Sequence, residues 1–291
     1  MKICCACIRI SAKVALMDSR SFFRVQACQF YRCVMNHVMS ELDETMLRKS
    51  TIVFSPHFDD ETLGCGGTLL KKKRAGAEVK IVFMTDSSKS HRHLISGDKL
   101  GAIRASEGLA ASRILGLKAY DVFSLGFEDG KLSEHLDAAT DKAIKILFQQ
   151  YPEEIFMPYY RDKHPDHVAT NRIVAAALHM YGRKAIIYEY PVWFWHHWPW
   201  ICLPTRRPRG LLLALQHSFV SGVHFLRDFR WSVYIGDVLE GKRAALDQYK
   251  SQMTRLIPDP RWLTLSDVSG GDFLECFFQE HEIFHRYSLS G

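Results

Sequence analysis

Five short apolar runs, at residues 51–54, 79–84, 121–125, 153–158 and 185–190, alternate with longer stretches of helical periodicity. No other feature constrains the fold so strongly. Helical patterns fill residues 68–74, 99–115, 135–151 and 165–181; in the second, Ile103, Leu109, Ala110 and Ile114 form one apolar stripe. Strands separated by helices of this length are joined by right-handed crossovers, which yields an α/β fold: a mainly parallel, doubly wound sheet with helices on both faces. In such sheets ligands collect at the carboxyl ends of the strands, where the helices begin. Attention therefore falls on the residues that follow each apolar run.

After the first run comes Ser55-Pro56-His57-Phe58-Asp59-Asp60-Glu61. Adjacent carboxylates disfavour one another's charged forms, and a divalent cation removes that penalty. His57 and Asp60, three apart, can aim at one ion from a turn and leave Asp59 free to face a water. An Asp-rich helix cap is the simpler account of these residues alone. The fourth run is followed by Tyr159-Tyr160-Arg161-Asp162-Lys163 and then by His164-Pro165-Asp166-His167, which opens a helix with proline at its first position. His164 and His167 can share a face of the first turn, with Asp166 available to orient a ring. Two strand-to-helix turns, each with His and Asp at this spacing, favour a catalytic metal site. Two histidines, one aspartate and an open position form a zinc-type set.

The pair Pro-His-x-Asp-Asp-Glu and His-Pro-Asp-His resembles the zinc-dependent N-deacetylases of the PIG-L/LmbE type, over roughly Thr51 to Gly182. The resemblance implies a Rossmann-like fold and removal of an acetyl group from an N-acetylglucosaminyl compound. On this reading His57, Asp60 and His167 hold the metal, Asp59 is the general base, His164 stabilises the oxyanion and Asp166 orients a histidine. Zinc is the expected ion, with iron(II) or cobalt fitting the same ligands. Arg104 and Glu107 match the family's Arg-x-x-Glu, whose arginine resembles a substrate-hydroxyl contact; alone, the pair reads as a surface ion pair. Asp129 either binds sugar hydroxyls or forms an Asp-Gly turn. The chain departs from the family pattern in three places. Phe58 replaces a proline, Thr85-Asp86-Ser87-Ser88 replaces a Thr-x-Gly loop, and Asp162 stands where some members carry tyrosine.

Three segments are expected: an N-terminal extension over 1–48, disordered or preceding a true start at Met35 or Met39; a catalytic core over 49–190; and residues 191–291, completing the same domain. A net charge of +6 across 291 residues is too weak and dispersed to indicate nucleic acid. Eight cysteines without a regular framework suit reduced thiols, hence a cytoplasmic protein. A signal peptide and a membrane-spanning run are not expected. The loop 86–98, containing His91 and His93, reads as solvated or as a lid. Trp193 to Leu215, with four tryptophans and Arg206, Arg207 and Arg209, reads as core, as a surface for a sugar ring or a sugar nucleotide's phosphates, or as a peripheral membrane contact, the last not favoured. Residues 241–256 are expected as one helix, and His281 and His285 as surface residues rather than a second site. The partner expected is a small amino-sugar substrate; oligomeric state is left open. The competing functions are another metal hydrolase, such as a phosphoesterase, for which no second ligand set is visible, and a non-catalytic glycan-binding protein, against which Asp59 argues.

Overall fold

A computed structural model describes residues 19–202 and 208–289. The first elements are α1 (Ser19–Val38), the two-residue strand β1 (Ser40–Glu41) and α2 (Glu44–Leu47). The alternating core follows: β2 (Thr51–Ser55), α3 (Asp60–Arg74), β3 (Val79–Thr85), α4 (Gly97–Ile114), β4 (Val122–Phe127), α5 (Leu136–Gln150), β5 (Glu154–Pro158), α6 (Pro165–Tyr181) and β6 (Ala185–Tyr190). The last third contributes α7 (Pro208–Asp228), β7 (Phe229–Tyr234), α8 (Leu239–Leu246), α9 (Lys250–Met253), α10 (Asp272–Glu275) and β8 (His281–Leu289).

One sheet of eight strands runs in the order β1-β7-β8-β6-β5-β2-β3-β4. Strands β2 to β6 pair in parallel, as their crossovers require, while β8 is antiparallel to both β6 and β7. The central strands read as continuous apolar runs because both faces are covered: every residue of β2 and of β5 is buried. Two cores result. One packs Ile52, Phe54, Val82 and Met157 against α5 and α6; the other packs Val53, Phe83 and Phe156 against α3, α4 and the last third of the chain.

Three expectations need correction. Residues 40–47, expected to lie outside the core, supply the edge strand β1 and bury Leu42 and Leu47, and Met35 of α1 is buried as well. The helix expected over 241–256 breaks into α8 and α9, because side chains at Tyr249 and Ser251 are anchored elsewhere (described below). The loop 86–98 is solvated only in part: His93 and its neighbour Arg92 are exposed, but His91 is buried, stacks on Trp262 at 4.1 Å and bonds the Leu263 carbonyl through Nε2 at 3.0 Å. Phe194, Trp195 and Trp200 are core residues. Arg206 and Arg207, like Cys4, Cys5 and Cys7, lie outside the described residues, as does the side chain of Arg209.

Candidate metal centre

From β2 the chain winds outward through β3 to β4, then returns to start β5 on the other side of β2 and continues to β6. The β2/β5 boundary is thus the switch point at which an α/β sheet opens a crevice. Both histidine-bearing turns lie at that crevice.

Asp59 caps α3 with φ 123° and ψ −27°, a conformation that L-residues rarely adopt. Its surroundings hold it there. The Asp59 carbonyl accepts the N–H groups of Thr62 and Leu63 at 3.1 and 2.9 Å, and Glu61 Oε2 accepts the Asp59 N–H at 3.2 Å. Ser55 Oγ donates to the His57 carbonyl at 2.7 Å and accepts the Glu61 N–H at 3.1 Å. Such over-determined outliers gather at functional sites.

Asp60 Oδ2 is where the two turns meet. It lies 3.1 Å from His57 Nδ1 and 3.1 Å from His167 Nε2. The ring nitrogens of His57, His164 and His167 also come within 4.8 Å of one another, so His164 borders the same space. His57 and His167 are shared with a second set, in which one oxygen of Asp60 touches both rings. His167 is wholly buried, yet neither ring nitrogen has a hydrogen bond of acceptable geometry. Unpaired buried nitrogens are costly unless something else satisfies them, and a cation does so at a neutral imidazole.

The charges tell the same story. Burial should lower the pKa of His57, but Asp129, Asp166 and Asp60 outweigh it and raise the value well above normal. His167 is likewise raised, to about 9, because Asp60 and Asp162 overcome its burial. Asp60, despite burial, is held far below the usual carboxylate range by His167 and His57. Without metal, two imidazolium protons therefore balance the carboxylates. A divalent cation carries the same charge into the same place, and binding it would release those protons.

The surrounding residues divide the work. Asp166 Oδ2 stands 3.1 Å from His57 Nε2 and accepts the Gly130 N–H at 2.7 Å, so the ring it orients is His57. Asp129 lines the pocket, with Oδ1 3.4 Å from His57 Nε2 and Oδ2 accepting the Lys89 N–H at 2.8 Å. Arg104 is no surface ion pair. It is buried against the Ser87 carbonyl and Ser90 Oγ at 3.0 and 2.9 Å, and it too lines the pocket. His285 pairs with Glu189 at 2.9 Å on β8 and takes no part in the site.

Two residues escaped the sequence reading. Asp162 Oδ2 faces His167 Nδ1 at 3.4 Å, and Gln252 Nε2 donates to Asp59 Oδ2 at 2.7 Å. Asp162 had a faint signal, an acidic residue just before the His-Pro-Asp-His turn; Gln252 had none. The pocket itself has a volume of about 180 Å³ and is walled by Trp193, Phe273 and Leu265 as well as by the polar set. A larger cavity of about 420 Å³, lined by Met35, Trp200, Phe225 and Phe277, lies on the far side of Leu63 and contains none of the His/Asp cluster. The smaller space is the candidate site because the chemistry is there.

A mostly parallel sheet with two histidines and a carboxylate at its switch point, and a second carboxylate beside them, forms an α/β site whose donors could hold a divalent cation. Residues 52–178, a little under half of the chain, match the family described as PIG-L: GlcNAc-PI de-N-acetylase. The diacetylchitobiose deacetylase of Thermococcus kodakarensis is 25 % identical over 220 residues, 74 % of this chain and 72 % of that protein. The 1D-myo-inositol 2-acetamido-2-deoxy-alpha-D-glucopyranoside deacetylase of Rhodococcus opacus is 28 % identical over 165 residues, 48 % of this chain and 56 % of that one. Thus the chain spans about three quarters of the first relative and just over half of the second. Among solved structures, the N,N'-diacetylchitobiose deacetylase of Pyrococcus horikoshii superposes with a TM-score of 0.55 over 93 % of this chain and 94 % of its own; at 22 % identity this is likeness of fold.

Proposed function

We propose that this protein removes the acetyl group from a small N-acetylglucosaminyl compound, with a divalent cation held by His57, Asp60 and His167. The observation that carries this reading is the approach of both imidazoles to one oxygen of Asp60. A cation in that place would polarise a water and the amide carbonyl. Zinc suits the donor set, and iron(II) or cobalt would fit it too.

Asp59 sits next to the ligand set without belonging to it. Burial and the neighbouring charge of Asp60 raise its pKa to about 8 in the metal-free protein; a cation beside it would lower that value and leave a carboxylate able to take a proton from water and return it to the departing amine. His164 supplies the donor. Its Nδ1 accepts the Asp166 N–H at 3.2 Å, so in the neutral ring the proton is on Nε2. Burial and the nearby charges of His57 and His167 lower its pKa to about 4, which keeps the ring neutral at neutral pH. A neutral Nε2–H at the pocket wall can hydrogen-bond the oxygen on which negative charge develops. Arg104 and Asp129 offer a donor and an acceptor for sugar hydroxyls, and the Trp193 face offers an apolar wall on which a pyranose ring can lie.

The test is acetate release by the full chain, reloaded in turn with zinc, iron(II) and cobalt, across N-acetylglucosaminyl compounds that include N,N'-diacetylchitobiose. Metal-dependent release from at least one is expected. Absence of release from all of them, by protein that has bound metal, would refute the reading.

A further inference from the structure

Gln252 lies far outside the residues matched by the family model, yet its amide touches the carboxylate assigned as the base. How it gets there is unusual. Tyr249, Ser251 and Gln252 lie around the start of α9, a single turn whose own helical bonds could not fix a side chain. The segment is instead fastened from both sides by residues of the core. Tyr249 donates its hydroxyl to Glu61 Oε1 at 2.6 Å. Glu107 accepts both the backbone N–H of Ser251 at 2.8 Å and its hydroxyl at 2.6 Å. Trp262 Nε1 donates to the Ser251 carbonyl at 3.0 Å. Tyr249 and Ser251 are buried, as are both glutamates. Four anchored bonds thus surround one outward amide, and that amide meets Asp59.

Glu61 makes the arrangement self-consistent. One of its oxygens takes the Tyr249 hydroxyl and the other takes the N–H of Asp59. The same carboxylate therefore holds the backbone of the base and the segment that carries the base's hydrogen-bond donor. Glu107 has the matching role on α4, three residues from Arg104. With the surface ion pair ruled out, this is a reason for a glutamate at that position.

We propose that Gln252 is a positioning residue for Asp59, held in place by Glu61 and Glu107 through Tyr249 and Ser251. Its amide fixes one carboxylate oxygen, Oδ2, and leaves Oδ1 to face the pocket and exchange protons. A free carboxylate on a short side chain would sample several rotamers; a charge-assisted bond selects one. The inference rests on the deacetylase reading, and the controls below separate the two.

The experiment uses the metal-loaded full chain and N,N'-diacetylchitobiose. Gln252→Met keeps the length of the side chain and removes the donor. Hydrogen bonds to charged groups have effects equivalent to about 10- to 100-fold, so kcat should fall by that factor while KM stays within about twofold. Metal content and Tm should match wild type. The double variant with Asp59→Asn should be no slower than Asp59→Asn alone, because the amide acts only through that carboxylate. Unchanged kcat, a rise confined to KM, or losses that multiply in the double variant would each overturn the proposal; the second would make Gln252 a substrate contact. Should Gln252→Met fail to fold, Gln252→Glu, of the same shape and without the amide donor, is read by the same criteria. A wild-type protein that binds metal but releases no acetate defeats the deacetylase reading and this inference together.

Discussion

Asp162 offers the sharpest test of the ligand set, since it touches no proposed ligand except His167. Its carboxylate is buried, with Oδ2 3.4 Å from His167 Nδ1 and accepting the N–H groups of Val192 and Trp193 at 3.1 Å each. Asp162→Asn keeps the shape and one carbonyl oxygen for those backbone donors, but removes the charge that faces the ring. If His167 binds metal through Nε2, the loss of its orienting carboxylate should weaken metal affinity about 10- to 100-fold, or about 1.4–2.7 kcal/mol. At free zinc of about 1,000 times the wild-type Kd, the metal stabilises the folded protein by about 4.1 kcal/mol. The variant at the same free zinc should retain about 1.4–2.7 kcal/mol of this. Chelator competition gives the affinity, and melting with and without zinc gives the increment. A folded variant with wild-type affinity would mean that the charge of Asp162 does not strengthen His167 as a ligand.

Purified protein should carry about one equivalent of divalent metal, and His57→Ala and His167→Ala should each lose it; metal retained by both variants would refute the assignment. Asp59→Asn should keep metal and fold while turnover falls by roughly 10² to 10⁴, and near-normal turnover would exclude Asp59 from the mechanism. The metal-free protein should lose stability as pH rises. His57 and His167 titrate above their ordinary 6.5 when folded, His167 at about 9, so the stability they lend is complete below about pH 6.5 and lost as pH climbs through about 9. The metal-loaded protein should do the opposite on acidification, since protons displace the ion; a metal-free Tm that rises from pH 6.5 to 9 would contradict this.

The alternating core was legible because its strands are buried on both faces and its helices carry stripes, so periodicity survives in the one-dimensional record. His57, Asp60, His164 and His167 were legible for a related reason: each lies within a few residues of a strand end, where the fold class says that ligands gather. Asp162 was harder, since the loop must turn back to bring it to a histidine five positions later. Gln252 was illegible. It approaches Asp59 from across 193 residues of chain, and its own segment reads as part of a longer helix. Helical periodicity there was overridden by the buried bonds of Tyr249 to Glu61 and of Ser251 to Glu107, which no local pattern encodes. Residues 40–47 were missed because a two-residue edge strand is too short to leave a pattern.

The place of β8 bears on how the molecule assembles. It is the last strand in chain order, yet it sits inside the sheet between β6 and β7. Until it docks, the β1–β7 pair has no ladder connecting it to the rest, and β6 presents an open edge of unpaired N–H and C=O groups. Contacts that join distant parts of a chain form slowly, and bare edges invite pairing with other molecules. Folding should therefore end with a slow closure, in which the strand from His281 to Leu289 is the keystone. An intermediate awaiting it would be the species most prone to aggregate.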